Sequence, residues 1–225
     1  MNDGDANGGP VALSQQVQQF FIGINDPFGL NPTNAPFSPV LFNLYDNWAG
    51  LRQTSRLNEA RAQIARGQAV FNNTVINISG VTGINDVLKQ ANFTGACATC
   101  HDTPNVGNHS VKAPLDIGVA DAGALAPPVL DTSDLPVFTL KCVAGPLQGQ
   151  TFIVTDPGRA LISGNCADIG KIKGPMLRGL AARAPYFHNG SGGSLSDVVD
   201  FYDQRFSIGF TRQQKLDLIA FLNTL

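Results

Sequence analysis

Residues 97–101 read Cys-Ala-Thr-Cys-His, and a pair of thiols with an imidazole directly behind them restricts this chain more than any other stretch. A structural zinc ion needs four ligands. The sequence offers no second Cys-x-x-Cys pair and no His-x-x-x-His, so zinc would have to borrow His109 and a distant group. A redox dithiol of the thioredoxin kind requires a βαβ setting, whereas the flanking sequence reads as helices and loops. Covalent haem attachment asks for nothing beyond what is present: two thiols spaced to add to two vinyl groups, and an adjacent imidazole to ligate the iron. Cys97, Cys100 and His101 are therefore the candidate haem-binding residues, with His101 as metal ligand and one covalent haem c as cofactor.

Bulk properties narrow the class further. The chain has 225 residues, 43% of them hydrophobic, enough for one sizeable core or one core with an appendage. Fifteen basic residues against 17 acidic give a net charge of −2, and no run of Lys or Arg occurs, which excludes nucleic acid and anionic membrane as partners. No apolar run is long enough to span a bilayer. The start, MNDGDANGGP, is polar where a signal peptide would be basic and then apolar. With Cys97 and Cys100 in the motif, Cys142 and Cys166 remain as an even pair. A disulfide between them would stabilise the fold by about 3 kcal/mol in the chain-entropy model and needs an oxidising compartment. An exported, periplasmic chain whose signal has been removed is the resulting expectation.

Along the chain, residues 1–54 read as an irregular, extended arm. SQQVQQFF offers two helical turns, and Pro27, Pro32, Pro36 and Pro39 then block regular structure, so the arm is expected to lie on the core through its phenylalanines. From Ser55 to Phe71, Leu57, Ala60, Ile64 and Phe71 share one helical face. The stretch NNTVINISGVTGINDVLKQANFTGA reads as a polar linker, its Asn-x-Thr/Ser triplets as loop residues. PVFTLKCVAGPLQGQTFIVTD reads as a hairpin with Cys142 on its first strand. A short helix is expected from Ser194 to Asp203, and a last one after the Thr211/Gln214 capping box. The expected fold is mainly α, a haem domain over residues 55–225 with a small β-hairpin insertion and the arm at 1–54.

Five segments carry a resemblance beyond the haem motif: IARGQAVF, CATCHDTPNVG, TDPGRAL, GPMLRGLAARAPYFHNGSGGSLSDVVDFYD and DLIAFLNTL. Between residues 57 and 225 they resemble the C-terminal haem domain of the bacterial dihaem cytochrome c peroxidase and MauG family. The most specific matches are Pro175–Arg178 and Pro185–Gly190. Family enzymes carry two haem domains, whereas this chain has a single Cys-x-x-Cys-His. The resemblance therefore implies a cytochrome c-type haem domain. It also implies either that the Pro104 carbonyl accepts from the proximal imidazole or that Pro104 simply turns the loop, and that Arg178 lies near the haem propionates or else in a surface salt bridge. His188 is implied to lie close to the haem, as ligand, proton relay or structural residue. Gly67 and Phe71 look like a helix-crossing contact onto Phe221 and Leu222, and Gly170 and Gly190 like turn glycines.

For the second axial position the candidates are Met176, Tyr202, His188, His109 or water. Tyr202 aligns with the site where the peroxidases of this family place a methionine and the MauG-type enzymes a tyrosine, and a phenolate would hold the potential low. Two functions follow. The first is a single-electron carrier serving a redox partner protein; the alternative is a peroxidase or oxygenase acting on peroxide or oxygen, with a second haem supplied by a partner.

Overall fold

The computed structural model describes residues 42–101 and 114–225. Pro104, His109 and residues 1–41, including SQQVQQFF and most of the arm, lie outside them. The described residues are mainly helical, with two small antiparallel hairpins.

The frame is a crossing of the two helices at the ends of the fold. Helix α1 (Arg56–Asn73) starts where the Ser55 hydroxyl accepts the Asn58 N–H at 3.2 Å. Its buried stripe is Ala62, Ile64, Ala65, Gly67, Gln68 and Phe71. Leu57, placed on that face by its period, is instead 51% exposed; it lies about 15 Å along the axis from the crossing at Gly67, beyond reach of the covering helix. That partner is the last of five α-helices among the described residues, Arg212–Leu222, opened by the Thr211/Gln214 capping box. A Cβ added to Gly67 would stand 1.9 Å from the Asp217 carbonyl oxygen and 2.7 Å from Phe221 Cβ, so the two backbones approach as closely as glycine allows. Asp217 is itself buried and takes two hydrogen bonds from the Arg66 guanidinium, at 2.8 and 3.0 Å, which anchors the crossing at a second point.

Residues 42–48 close over this crossing. Phe42 meets Phe71 and Phe221 edge-on, each at 5.3 Å between centroids. Their backbone is held by α1 side chains. Asn72 Nδ2 donates to the Phe42 carbonyl at 2.6 Å, and the Tyr45 N–H donates to Gln68 Oε1 at 3.0 Å. Phe42, Leu44, Tyr45 and Trp48 thereby join the main core.

The stretch read as a polar linker is structured. Strands β1 (Ile76–Ser79) and β2 (Asn92–Gly95) pair antiparallel, with α2 (Asn85–Leu88) between them. Asn72 belongs to α1, Asn77 to β1 and Asn92 to β2, so the three triplets are not loop residues. Asn85 shows why polarity misled: it is buried, accepts the Val81 N–H at 2.9 Å, and donates to the carbonyls of Ile78 and Gln90 at 3.1 and 3.0 Å. Its amide substitutes for backbone partners in a tight turn, while Ile76 and Ile78 alternate inward.

The expected hairpin forms from β3 (Phe138–Lys141) and β4 (Thr151–Val154). Cys142 lies one residue past β3. It faces Cys166 with Cα atoms 6.0 Å apart, a separation a disulfide spans. A short α3 (Ala160–Ser163) follows, and then α4 (Leu195–Arg205), capped reciprocally by Ser194 and Asp197. The closing helix is α5.

Arg205 ends α4 by donating to the carbonyls of Ile117, Ser79 and Gly80. Beside it, burial, reinforced by the Asp116 carboxylate and opposed by Arg205, pushes the Asp121 carboxyl up to about 6. An acid whose folded pKa is raised contributes stability that is complete below the ordinary carboxylate range near 4 and lost as pH rises through about 6. After discounting for partial exposure, Asp121→Asn is expected to stabilise the fold by about 1 kcal/mol at pH 7. It should also remove the fall in stability between about pH 4 and 6. Urea melts at half-unit pH steps check this; an unchanged pH profile contradicts it.

Candidate functional site

Between the helix crossing and the β1–β2 hairpin lies a cavity of about 470 Å³. Cys97, Cys100 and His101 line it from a short 3₁₀ turn, Cys97–Thr99, on which the Ala96 N–H donates to Thr99 Oγ1 at 2.9 Å and the His101 N–H to the Cys97 carbonyl at 3.0 Å. The i to i+3 geometry of that turn brings both thiols to one wall. Gly174 packs over His101, 3.9 Å separating its ideal Cβ position from the imidazole Cε1. Most of the remaining wall is apolar, supplied by Leu177, Leu180, Val199, Leu218 and the isoleucines of β1.

Tyr202 reaches the same cavity from α4. Its ring is fixed between Phe201, edge-on at 5.5 Å, and Phe206, stacked at 6.2 Å. Burial raises its hydroxyl well above the ordinary phenol value, with Cys100 and Cys97 adding to the effect. Met176, the other internal candidate for an iron ligand, is 41% exposed and does not line the cavity.

Arg178 is exposed and is also absent from the lining. The arginine on the cavity wall is Arg183. Gly179, at φ +70°, reverses the chain so that Arg183 Nη1 turns back to donate to the carbonyls of Met176 and Arg178, at 2.6 and 3.2 Å. Lys173 is a second lining cation, its ammonium pKa lowered by burial. His188 lies at the rim, its Nδ1 paired with the Asp156 carboxylate. Arg183, Lys173 and Asp156 were not singled out from the sequence; the signal available was a set of charges within otherwise apolar or Gly/Pro-rich runs.

The chemistry of this wall discriminates among the three uses of a Cys-x-x-Cys-His. Among the described residues no cluster of His, Cys, Asp or Glu could hold a bare metal ion. Burial pushes both thiols up to about 12, the reverse of the depressed value that makes a dithiol redox-active. Two thiols and an imidazole on a large apolar cavity, with cations at its edge, fit an amphiphilic macrocycle with carboxylate tails.

Comparison with known proteins points the same way. A cytochrome-c peroxidase, IdrP1, of Pseudomonas sp. (strain SCT) is 32% identical over 146 residues, 60% of this chain and 37% of that protein. The cytochrome-c peroxidase IdrP2 of Denitromonas iodatirespirans is 33% identical over 139 residues, 58% of this chain and 36% of the relative. The methylamine utilization protein MauG of Methylorubrum extorquens is 26% identical over 212 residues, 86% of this chain and 49% of MauG. The chain is related to the cytochrome c peroxidase and MauG family. It spans between about a third and a half of the length of these relatives. No family model and no solved structure matches it. Two of these relatives are named cytochrome-c peroxidases, which favours the peroxidase alternative over the electron carrier placed first from sequence. No helix among the described residues is long and apolar enough to cross a membrane.

Proposed function

We propose that this chain is a cytochrome c-type haem domain of a periplasmic peroxidase or MauG-like oxidoreductase acting on peroxide or oxygen. The observation that carries the reading is the single cavity on which Cys97, Cys100, His101 and Tyr202 converge. Bound haem c would supply one-electron and peroxide or oxygen chemistry there. Cys97 and Cys100 would hold it covalently, and His101 and Tyr202 would ligate its iron. Lys173 and Arg183 neutralise its carboxylates. The apolar wall excludes water and strengthens every charge interaction inside. The Tyr202 hydroxyl keeps its proton at neutral pH while burial alone acts on it, so a cation facing it is needed to make it a phenolate donor. Cys142 and Cys166 form a disulfide, consistent with an oxidising compartment.

The electron-carrier reading keeps one support: Tyr202 lines the same cavity as Cys97, Cys100 and His101, where as a ligand it would saturate the iron. Ferric optical and EPR spectra, recorded with peroxide turnover for the wild type and Tyr202→Phe, separate the two. The variant is expected to lose its second protein ligand, become five-coordinate or water-ligated, rise in potential, and turn over peroxide at least about tenfold faster than the wild type. An unchanged spectrum removes Tyr202 from the iron. A five-coordinate variant inert to both peroxide and oxygen returns the chain to electron carriage.

A further inference from the structure

His188 is the polar group at the cavity rim whose position the fold constrains most. The preceding residue, Phe187, has φ +66°, a left-handed conformation that a bulky side chain adopts only where its surroundings enforce it. The enforcement is visible. Phe187 packs edge-on against Phe201 at 5.1 Å. Asn189 Nδ2 donates to the Val119 carbonyl and to Thr155 Oγ1, at 3.1 and 3.0 Å, and Asn189 Oδ1 accepts from the Ser191 hydroxyl at 2.8 Å. The chain on both sides of His188 is thus fastened, and the imidazole meets Asp156. Asp156 is buried, and its other oxygen accepts the Gly158 N–H at 2.8 Å.

An ionised carboxylate only accepts, so the Asp156 contact makes Nδ1 the protonated nitrogen. Nε2 is left as the base. The side chain is 63% exposed while lining the cavity, so Nε2 has access both to solvent protons and to the cavity contents. The other charged and titratable groups lining that cavity are Cys97, Cys100, His101, Lys173, Arg183, Tyr186 and Tyr202. Lys173 and Arg183 are cations that oppose a further positive charge, and the Asp156 carboxylate favours it.

We propose that His188 is a proton-accepting positioning residue that couples reduction of the haem to uptake of one proton, with Asp156 holding its tautomer. The inference rests on the haem reading above. The step balances simply: one electron from a one-electron donor reduces ferric to ferrous haem, and one proton from water binds His188 Nε2. The coupling is electrostatic. Reduction removes one unit of positive charge from the cavity, and a base at its edge then binds a proton more tightly.

The test is the midpoint potential of the haem-loaded protein from pH 5 to 9, for the wild type, His188→Gln and Asp156→Asn. The wild type is expected to show a segment approaching one proton per electron, a tenfold change in equilibrium per pH unit or about 59 mV. His188→Gln should be flat across that segment, and Asp156→Asn should move the segment to lower pH. A flat wild-type profile, or a slope surviving intact in His188→Gln, overturns the coupling while leaving the haem reading in place. A chain that carries no covalent haem on a denaturing gel overturns both.

Discussion

Gly67→Ala is expected to lower the thermal midpoint by about 6–12 °C, a loss of about 3 kcal/mol. The added methyl would lie 1.9 Å from the Asp217 carbonyl oxygen and 2.6 Å from its carbon. Both are backbone atoms of α5, so no side-chain rotation relieves the clash. The helices must separate, and separation loosens the edge-on packing of Phe42 on Phe71 and Phe221. Alanine's helix propensity returns only about 1 kcal/mol. Gly50→Ala, where nothing lies within 4 Å of the added carbon, is the control and should leave the midpoint unchanged. An unchanged midpoint in Gly67→Ala would mean that the helices do not cross at this point.

Cys97→Ala combined with Cys100→Ala is expected to abolish covalent haem: no haem should stay with the chain through denaturing electrophoresis, whereas the wild type retains it. The loss should reach beyond the cofactor. An apolar cavity of about 470 Å³ left without the group that packs against its wall loses those contacts, a loss of roughly several kcal/mol. That is a large share of the stability of an ordinary domain. The double variant should therefore lose its cooperative thermal transition and its near-UV circular dichroism, and excess free haem should restore them only in part. Haem retained through denaturation in the double variant would remove both cysteines from the attachment.

How much was legible in the sequence depended on how local each feature is. The Ser55 cap, the Ser194 start and the Thr211/Gln214 box mark helix ends because a cap is a hydrogen bond across three residues. The β1–β2 hairpin was read as linker because composition was weighed above the inward alternation of Ile76 and Ile78. An asparagine-rich turn looks solvated until Asn85 is seen bonding three backbone groups inside the fold.

The sequence by itself singled out the candidate attachment residues, Cys97, Cys100 and His101. Two thiols and an imidazole within five residues can meet one macrocycle whatever the rest of the chain does, since a single turn sets their geometry. The helix crossing was legible only through the resemblance, which placed Gly67 and Phe71 where cytochromes pack the first helix on the last, and the 1.9 Å approach of an added Cβ to Asp217 gives the physical reason. Only the tertiary structure decided which distant side chains share the cavity. Tyr202 comes to it, while Met176 stays outside. Arg183 replaces Arg178 on the wall because the left-handed turn at Gly179 folds the later guanidinium back onto the earlier carbonyls. Asp156 and His188 meet across 32 positions because Asn189 is fastened to the strand of chain beside Asp156. Spacing encodes contacts that one turn or one helix can make; contacts between segments depend on how the core packs, and that is a property of the whole fold.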